Sequence, residues 1–281
     1  SPPAVLADRY RMGKRIGQGG MGVVYQAHDT HLNLKIAVKL ISSGTVERFR
    51  TEAQSIAALN HPGIVRVYEF NQQDDLHYIV MEFVEGESLS QRLAREGTIP
   101  VEEAIRITIS LCDALSHAHG KGIIHRDIKP SNVLLSSEGV PKLVDFGLAR
   151  IESDQGQHTR EGATLGTFDY MSPEQRRDTA GVDHRSDLWS LAASLYHTVT
   201  GRSPRVIRLD ELSGALRDVL GKALEDTPDD RYQAADDFRD ALKAALDSPV
   251  APQPRAVPEG DLARGQCREC GAINEAEREF C

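Results

Sequence analysis

The chain has 281 residues, 40% of them hydrophobic and 27% charged, with a formal net charge of -9. That length suffices for two lobes, each with its own core, and the composition is that of an ordinary globular protein. The acidic balance argues against a general binder of nucleic acid or anionic membrane, although a local basic patch is compatible with it.

No apolar run approaches the roughly 20 residues needed to cross a bilayer. The start, Ser1-Pro2-Pro3-Ala4-Val5, has neither an initiator Met nor a signal-peptide pattern, so an excised piece of a longer chain is expected. A membrane anchor in the parent protein is therefore not excluded. The four cysteines do not form a disulfide framework, and Cys112 reads as a small core residue in a helical pattern.

Residues 1–9 read as an N-terminal extension. From Tyr10 to Ile16 the residues alternate, with Tyr10, Met12 and Ile16 on one face of a strand. The run Gly17-Gln18-Gly19-Gly20-Met21-Gly22-Val23-Val24-Tyr25 follows. Glycines at 17, 19 and 22 allow close approach of a phosphate. A dinucleotide fold uses the same spacing to open a helix. Here Val23-Val24-Tyr25 continues as strand, which favours a glycine-rich flap between antiparallel strands; a plain glycine-rich hairpin is the bland alternative.

In Leu34 to Ile41, residues Leu34, Ile36, Val38 and Leu40 share one face, and Ala37 and Lys39 the other. A small residue beside a lysine suits a nucleotide, whereas a solvated lysine on an edge strand is the alternative. Thr45 to Asn60 reads as a helix ended by His61-Pro62-Gly63. Glu52 lies in its apolar stripe with Phe49, Ile56 and Leu59, and a carboxylate there needs a cation, for which Lys39 is the candidate. Val65 to Phe70 and Leu76 to Met81 suggest two further strands, running into Met81-Glu82-Phe83-Val84-Glu85-Gly86, where a lobe boundary is expected.

Ser88 to Arg95 reads as a short helix capped by Ser88, and Pro100 to Gly120 as a long one with Ile105, Ile109, Cys112 and Leu115 buried. His117 and His119 have no acidic or cysteine partner at ligand spacing and are expected to be structural. His125-Arg126-Asp127-Ile128-Lys129-Pro130-Ser131-Asn132 then lies between the apolar runs Ile123-Ile124 and Val133-Leu134-Leu135. Charged groups held near a core cost free energy unless paired or used. Asp145 ends the apolar strand before Phe146-Gly147, and with Asn132 it offers the hard oxygens that Mg²⁺ prefers. Residues 148–165 carry no apolar period, as in a functional or mobile loop. Helices are expected over Ser186 to Thr200, Leu209 to Leu224 and Ala234 to Leu246.

With these residues in order, the stretch of about 10 to 247 resembles a eukaryotic-type (Hanks-type) serine/threonine protein kinase of the bacterial branch. The residues are the glycine-rich loop, Ala37-x-Lys39, Glu52, H-R-D-x-K-x-x-N at 125–132, Asp145-Phe146-Gly147 and Ser172-Pro173-Glu174. The resemblance implies an α+β, bilobal protein-kinase fold. Its N-lobe (10–83) would hold a five-stranded antiparallel sheet with one main helix, and its C-lobe (84–247) would be mainly helical.

It further implies ATP and Mg²⁺ as cofactors, and protein serine or threonine hydroxyls as acceptors. Lys39, paired with Glu52, would hold the α- and β-phosphates, and the backbone of Gly17, Gln18, Gly19, Gly20, Met21, Gly22 and Val23 would cover them. Ile16, Val24 and Ala37 would enclose the adenine beside Met81, with Glu82 and Val84 offering hinge groups. Asn132 and Asp145 would bind the metal, Asp127 would accept the acceptor's proton, and Lys129 would stabilise the transferred phosphate. Thr167 fits the position that helps define the acceptor hydroxyl.

Asp187 would brace the catalytic loop, and Glu174 would pair with Arg231. Arg126 beside Asp127, and Thr159 in the activation loop, imply control by autophosphorylation, with self-association as its route. Glu161 stands where a second phosphothreonine is common. The segment from Ser203-Pro204 to Arg231 is shorter than the family's usual one, so the helix that often docks substrates is expected to be reduced. Ala192 stands where the family often has Gly.

Residues 248–265 hold four prolines and read as a linker. Residues 266–281 begin a zinc-ribbon pattern, with Cys267, Cys270 and Cys281 as three of four ligands, or else carry unrelated surface cysteines. The leading expectation is a cytoplasmic kinase domain acting on protein substrates, with no nucleic-acid partner and no membrane segment within this chain. A pseudokinase scaffold is the alternative from another class. A small-molecule phosphotransferase on a related fold is disfavoured by the Thr167 to Glu174 segment.

Overall fold

The computed structural model describes residues 3–19, 22–41, 56–146, 167–177, 182–212 and 214–247. Alternating side chains build the first lobe around one antiparallel sheet. Its strands are β1 (Val5–Leu6), β2 (Tyr10–Gly19), β3 (Gly22–Asp29), β4 (Leu34–Ile41), β5 (Val67–Gln73) and β6 (Leu76–Glu82), in the order β1-β2-β3-β4-β6-β5. Leu6, Tyr10, Ala27, Ile36, Val38, Tyr78 and Val80 form a core on one face. The opposite face of β4 carries Ala37 and Lys39, as its alternation requires.

The sheet has one strand more than expected. Val5–Leu6 pairs with Tyr10–Arg11, so part of the presumed extension belongs to the fold. Arg9 explains why: its guanidinium grips the buried Asp29 carboxylate through Nε and Nη2, and the Tyr10 hydroxyl donates to Glu69 at 2.7 Å. The Arg9 hydrogen bonds, against the cost of burial and aided by the Leu32 and His31 amides, hold the Asp29 carboxyl down at about 2. The helix expected over Thr45 to Asn60 lies outside the described residues apart from its end, where Ile56 and Ala57 are helical.

The second lobe starts from β7 (Gly86–Ser88), which joins β8 (Val133–Ser136) and β9 (Pro141–Leu143) in a small sheet. Helix α1 (Leu89–Glu96) is opened by a capping box in which the Ser88 hydroxyl accepts from the Gln91 amide and the Gln91 side chain accepts from the Ser88 amide. Helix α2 (Val101–His119) starts after Pro100 and buries Ile105, Leu111, Cys112 and Leu115. Burial, followed by the nearby Asp113 carboxylate, pushes the Cys112 thiol well up, in keeping with an inert core residue.

After the five-residue α3 (Pro173–Arg177) comes α4 (Arg185–Thr200), whose residues 186–196 are all buried. A helix wrapped on every side must satisfy its own polar groups. Ser194 and Thr198 do so by donating to the carbonyls of Ser190 and Ser194, four residues back, at 2.9 and 2.7 Å. Ala192 is fully buried there. Helix α5 spans Gly214–Ala223 and α6 Ala235–Asp247; α6 packs against α2 and α5, and α4 against α2 and α5.

The helix read from Leu209 begins later than its apolar spacing suggested. Leu209–Glu211 is a single 3₁₀ turn, Leu212 is extended with ψ 146°, and the helix proper opens at Gly214. No described helix is long and apolar enough to cross a membrane. The linker and the cysteine-bearing segment, 248–281, lie outside the described residues, so their proposed boundaries rest on composition alone.

The lobes are seated on each other by backbone groups and one lysine side chain. The amide of Val65 donates to Leu143 O at 2.9 Å, the amide of Leu143 to Gly63 O at 2.8 Å, and Lys121 Nζ to Ala58 O at 2.7 Å.

Arg231 is fully buried in the second lobe, and its guanidinium donates to both oxygens of Glu174 at 2.7 Å and to the carbonyls of Glu225 and Asp226. Burial, the largest single influence, would raise the Glu174 carboxyl; the Arg231 hydrogen bonds, joined by those from its own amide and Ser172 and by the Arg231 charge, together outweigh it and hold the group below its ordinary value. The pair's stabilisation is therefore present above the usual carboxylate range and is lost as pH falls through the depressed value. Removing one partner of such a pair costs about 3–5 kcal/mol. Glu174→Gln is expected to lose about that much in urea denaturation at neutral pH. The gap from wild type should begin to narrow near about pH 4, where the unfolded carboxyl protonates, and close once pH falls below the depressed folded value.

Candidate active site between the lobes

Strand β3 returns beside β2 with Gly17 opposite Val24, Gln18 opposite Val23 and Gly19 opposite Gly22. The glycines thus stay within a hairpin and do not open a helix, as the strand reading requires. Gly22 has φ +145°, and a Cβ there would lie 1.9 Å from Leu40 O, so only glycine fits against β4. Gly20 and Met21 lie outside the described residues. Ile16 is exposed and Val24 half-buried above the cleft.

Lys39 is 4% exposed and occupies the middle of the sheet, opposite Val24 on β3 and Ile79 on β6. Its ammonium lies 2.8 Å from Asp145 Oδ1. The expected partner, Glu52, lies outside the described residues. A central strand thus carries the lysine, which removes the edge-strand alternative. Ala37 faces the same way and pairs with Met81. After β6 the chain passes through Phe83, Val84 and Glu85 to Gly86. The Glu82 amide donates to Arg66 O at 2.8 Å and its carboxylate meets Lys142 at 2.8 Å. The Glu82 N–H is therefore already committed, while Val84 has no regular secondary structure.

Across the cleft, Asp127 Oδ2 receives both Lys129 Nζ and Asn132 Nδ2 at 2.9 Å, and Asn132 Nδ2 also donates to the Asp127 carbonyl at 2.8 Å. The loop's geometry comes from three elements. Asp187, on buried α4, accepts the His125 amide on Oδ2 and the Arg126 amide on Oδ1, each at 2.8 Å. His119, at the end of α2, adds Nε2 to Asp187 Oδ2 at 2.8 Å. Gln175 of α3 donates to Arg126 O at 2.9 Å.

The His119 contact fits the structural role expected of this residue and adds an acidic partner from far outside ligand spacing, 68 residues away. No local spacing could have disclosed it. The roles expected of Asp187 and Glu174 as structural supports are realised in these contacts.

His125 ties the loop to the Asp145 segment. Val144 O can only accept, so His125 Nε2 donates to it at 2.9 Å, and Nδ1 is left to accept the Asp127 amide at 3.3 Å. Val144 N closes the link by donating to Asn132 O at 3.0 Å. The buried Phe146 ring packs on His125 at 4.5 Å. Arg126 and Asp145 have φ +67° and +62°. For residues with a Cβ this is strained by roughly 1–3 kcal/mol each, which the surrounding bonds must overcome. Gly147, Thr159 and Glu161 lie outside the described residues; Thr167 begins a 3₁₀ turn, Thr167–Tyr170.

Comparison with known proteins decides what this cleft belongs to. The family model for the protein kinase domain matches residues 10–248. The chain belongs to the protein kinase family. It is 37% identical to serine/threonine-protein kinase PknB of Mycobacterium leprae, over 92% of this chain and 46% of that protein. It is 39% identical to a probable serine/threonine-protein kinase of Streptomyces coelicolor, over 87% and 41%, and to PknB of Mycobacterium tuberculosis, over 84% and 43%. The chain thus spans less than half the length of these relatives. As a protein kinase domain it is associated with ATP and Mg²⁺, and with protein substrates.

The kinase loop gives a direct test of its bracing. Asp187→Asn replaces an oxygen that accepts amide protons with a nitrogen that donates. Leaving one or two charge-assisted bonds unmade at about 1.5–3 kcal/mol each, it is expected to destabilise the fold measurably. Phosphotransfer should also fall in the fraction that remains folded, as read by urea denaturation and activity assay together.

Proposed function

We propose that this domain transfers the γ-phosphate of ATP to serine or threonine hydroxyls of proteins, with Asp127 as the group that orients the acceptor and takes its proton. The observation that carries the reading is the arrangement of Asp127 under Lys129 and Asn132, facing Lys39 and Asp145 across one cleft. The relatives' names as serine/threonine-protein kinases support the acceptor class. The Lys129 position fits it too, since a cation two residues after the base suits the serine/threonine branch.

The donor set fits Mg²⁺. Asp145 contributes a carboxylate, and the Asn132 amide turns its nitrogen to Asp127, leaving its oxygen for an ion. ATP supplies the phosphoryl group, and Mg²⁺ the charge neutralisation that lets it move. The chain's own residues do the rest. Lys39 is held in the sheet to meet phosphate oxygens, and the Gly17 to Gly22 hairpin can close over them because its backbone is bare of side chains.

Ile16, Val24 and Ala37 present apolar surface to a base, and Val84 with the Glu82 carbonyl offers it polar groups. Lys129, anchored on Asp127, stands ready to balance charge at the transferred group, while Asp127 accepts the hydroxyl proton. Lys39–Glu52 pairing, autophosphorylation at Thr159 through transient self-association, and a role for Thr167 at the acceptor complete the proposal. So does a zinc knuckle of Cys267, Cys270 and Cys281 within a longer chain. These rest on sequence pattern.

Incubation with labelled ATP and Mg²⁺, followed by phosphosite mapping, tests the reading. Wild type is expected to label serine or threonine, and Asp127→Asn to lose at least about 10²-fold in rate, the usual worth of a positioned base. It should still bind nucleotide. Absence of label in the protein itself and in a generic protein substrate would instead favour a nucleotide-binding scaffold.

A further inference from the structure

Between α4 and α5 the chain carries little regular structure. Residues 201–212 form a turn-rich strip that includes the Leu209–Glu211 3₁₀ turn, with Pro204 buried, Ile207, Leu209 and Leu212 half-buried, and the arginines exposed. The strip carries Arg202, Arg205 and Arg208 against Asp210 and Glu211, in a chain whose overall charge is -9. Arg202 is taken up by Glu211. Arg205 and Arg208 are exposed, and neither guanidinium contacts a carboxylate among the described residues.

The strip is fastened to the turn and helix that carry the acceptor side. Ser203 Oγ donates to Asp169 Oδ2 at 2.5 Å, and Arg176 donates to Asp169 O at 3.2 Å. Asp169 therefore gathers residues 203 and 176 at one point, and Gln175, one residue earlier on α3, bonds to Arg126 beside Asp127. Arg177 is exposed on the same short helix, again without a carboxylate partner among the described residues.

Two of the nearby carboxylates are taken by arginine, Glu174 facing inward to Arg231 and Glu211 holding Arg202, which leaves Asp169, bound by the Ser203 hydroxyl, and the exposed Asp210 against Arg176, Arg177, Arg205 and Arg208. Phe168, 48% exposed, and Val206, 64% exposed, add apolar area on the same two segments. A positive, partly apolar surface on an otherwise acidic protein, one hydrogen-bonded step from the catalytic loop, is complementary to an acidic peptide.

We propose that Arg177, Arg205 and Arg208 form a docking surface for acidic segments flanking the serine or threonine that is phosphorylated. The proposal deepens the kinase reading above and rests on it. Arginine suits the task, since its planar fork meets carboxylates in bidentate fashion and loses little freedom for each bond formed. The surface discriminates among substrates and leaves the chemistry to Asp127 and Lys39.

Three synthetic peptides sharing one acceptor serine, flanked by Glu, Gln or Lys, test this with the full chain. Two or three exposed ion pairs are each weak, so wild type is expected to favour the Glu peptide over the Gln peptide by about fivefold in kcat/KM, through KM. The preference should shrink in about 0.5 M salt, where the Debye length falls to a few ångström. The double variant Arg205→Glu/Arg208→Glu is expected to reverse the preference toward the Lys peptide while keeping the wild-type rate on the Gln peptide.

Should that variant fail to fold by circular dichroism, Arg205→Ala/Arg208→Ala is expected to abolish the preference. Equal rates on the Glu and Gln peptides, or a preference that survives these substitutions, would overturn the proposal and leave the kinase reading standing. Transfer to no peptide would overturn both. Inhibition of Gln-peptide phosphorylation by a single-stranded oligonucleotide, as strong as that by a poly-Glu peptide, would mark a general polyanion surface and also overturn it.

Discussion

The Asp187 carboxylate, sealed inside the second lobe, is the contact on which the catalytic loop depends. Burying a carboxylate costs several kcal/mol unless hydrogen bonds replace its water. Asp187 recovers that cost from three N–H groups, on His125, Arg126 and His119. Two of these are consecutive backbone amides, and a carboxylate can take both only if the chain turns sharply. The turn shows as φ +67° at Arg126. The strain there is the means by which α4, a helix buried over most of its length, sets the direction of Asp127.

The same logic repeats at Asp145, which is also left-handed. Val144 is pinned by both of its backbone groups, to His125 and to Asn132, and Phe146 is pinned against the His125 ring. Asp145 lies between two fixed points and is turned outward to Lys39. The His125 to Asn132 loop and the Asp145 segment are therefore one connected unit, with His125 as the link. A substitution at His125 would disturb both carboxylates together, although the imidazole itself is buried away from the cleft.

Legibility from sequence followed the range of the causing interaction. The alternation in Leu34 to Ile41 put Lys39 and Ala37 on one face, and the apolar runs around His125 to Asn132 marked a charged loop held near a core. Both are local patterns, and both are realised. The capping box at Ser88 and the bare glycine at 22 were readable for the same reason. The two-residue strand Val5–Leu6 was too short for any period, and its cause, Arg9 on Asp29, spans 20 residues. The start of α5 was misjudged because apolar spacing alone does not separate a 3₁₀ turn from a helix. The His119–Asp187 contact, joining two helices across the lobe, leaves no trace in local spacing.

Amide hydrogen exchange of His125 and Arg126 tests the central claim most directly. If Asp187 locks these two N–H groups, their exchange should require global unfolding and match the protection of amides in the interior of α4. In Asp187→Asn that protection should fall while the α4 amides remain the slower set. Exchange of the His125 and Arg126 amides in wild type as fast as that of the exposed turn at Gly139 would contradict the account, since the loop would then owe its shape to something other than α4.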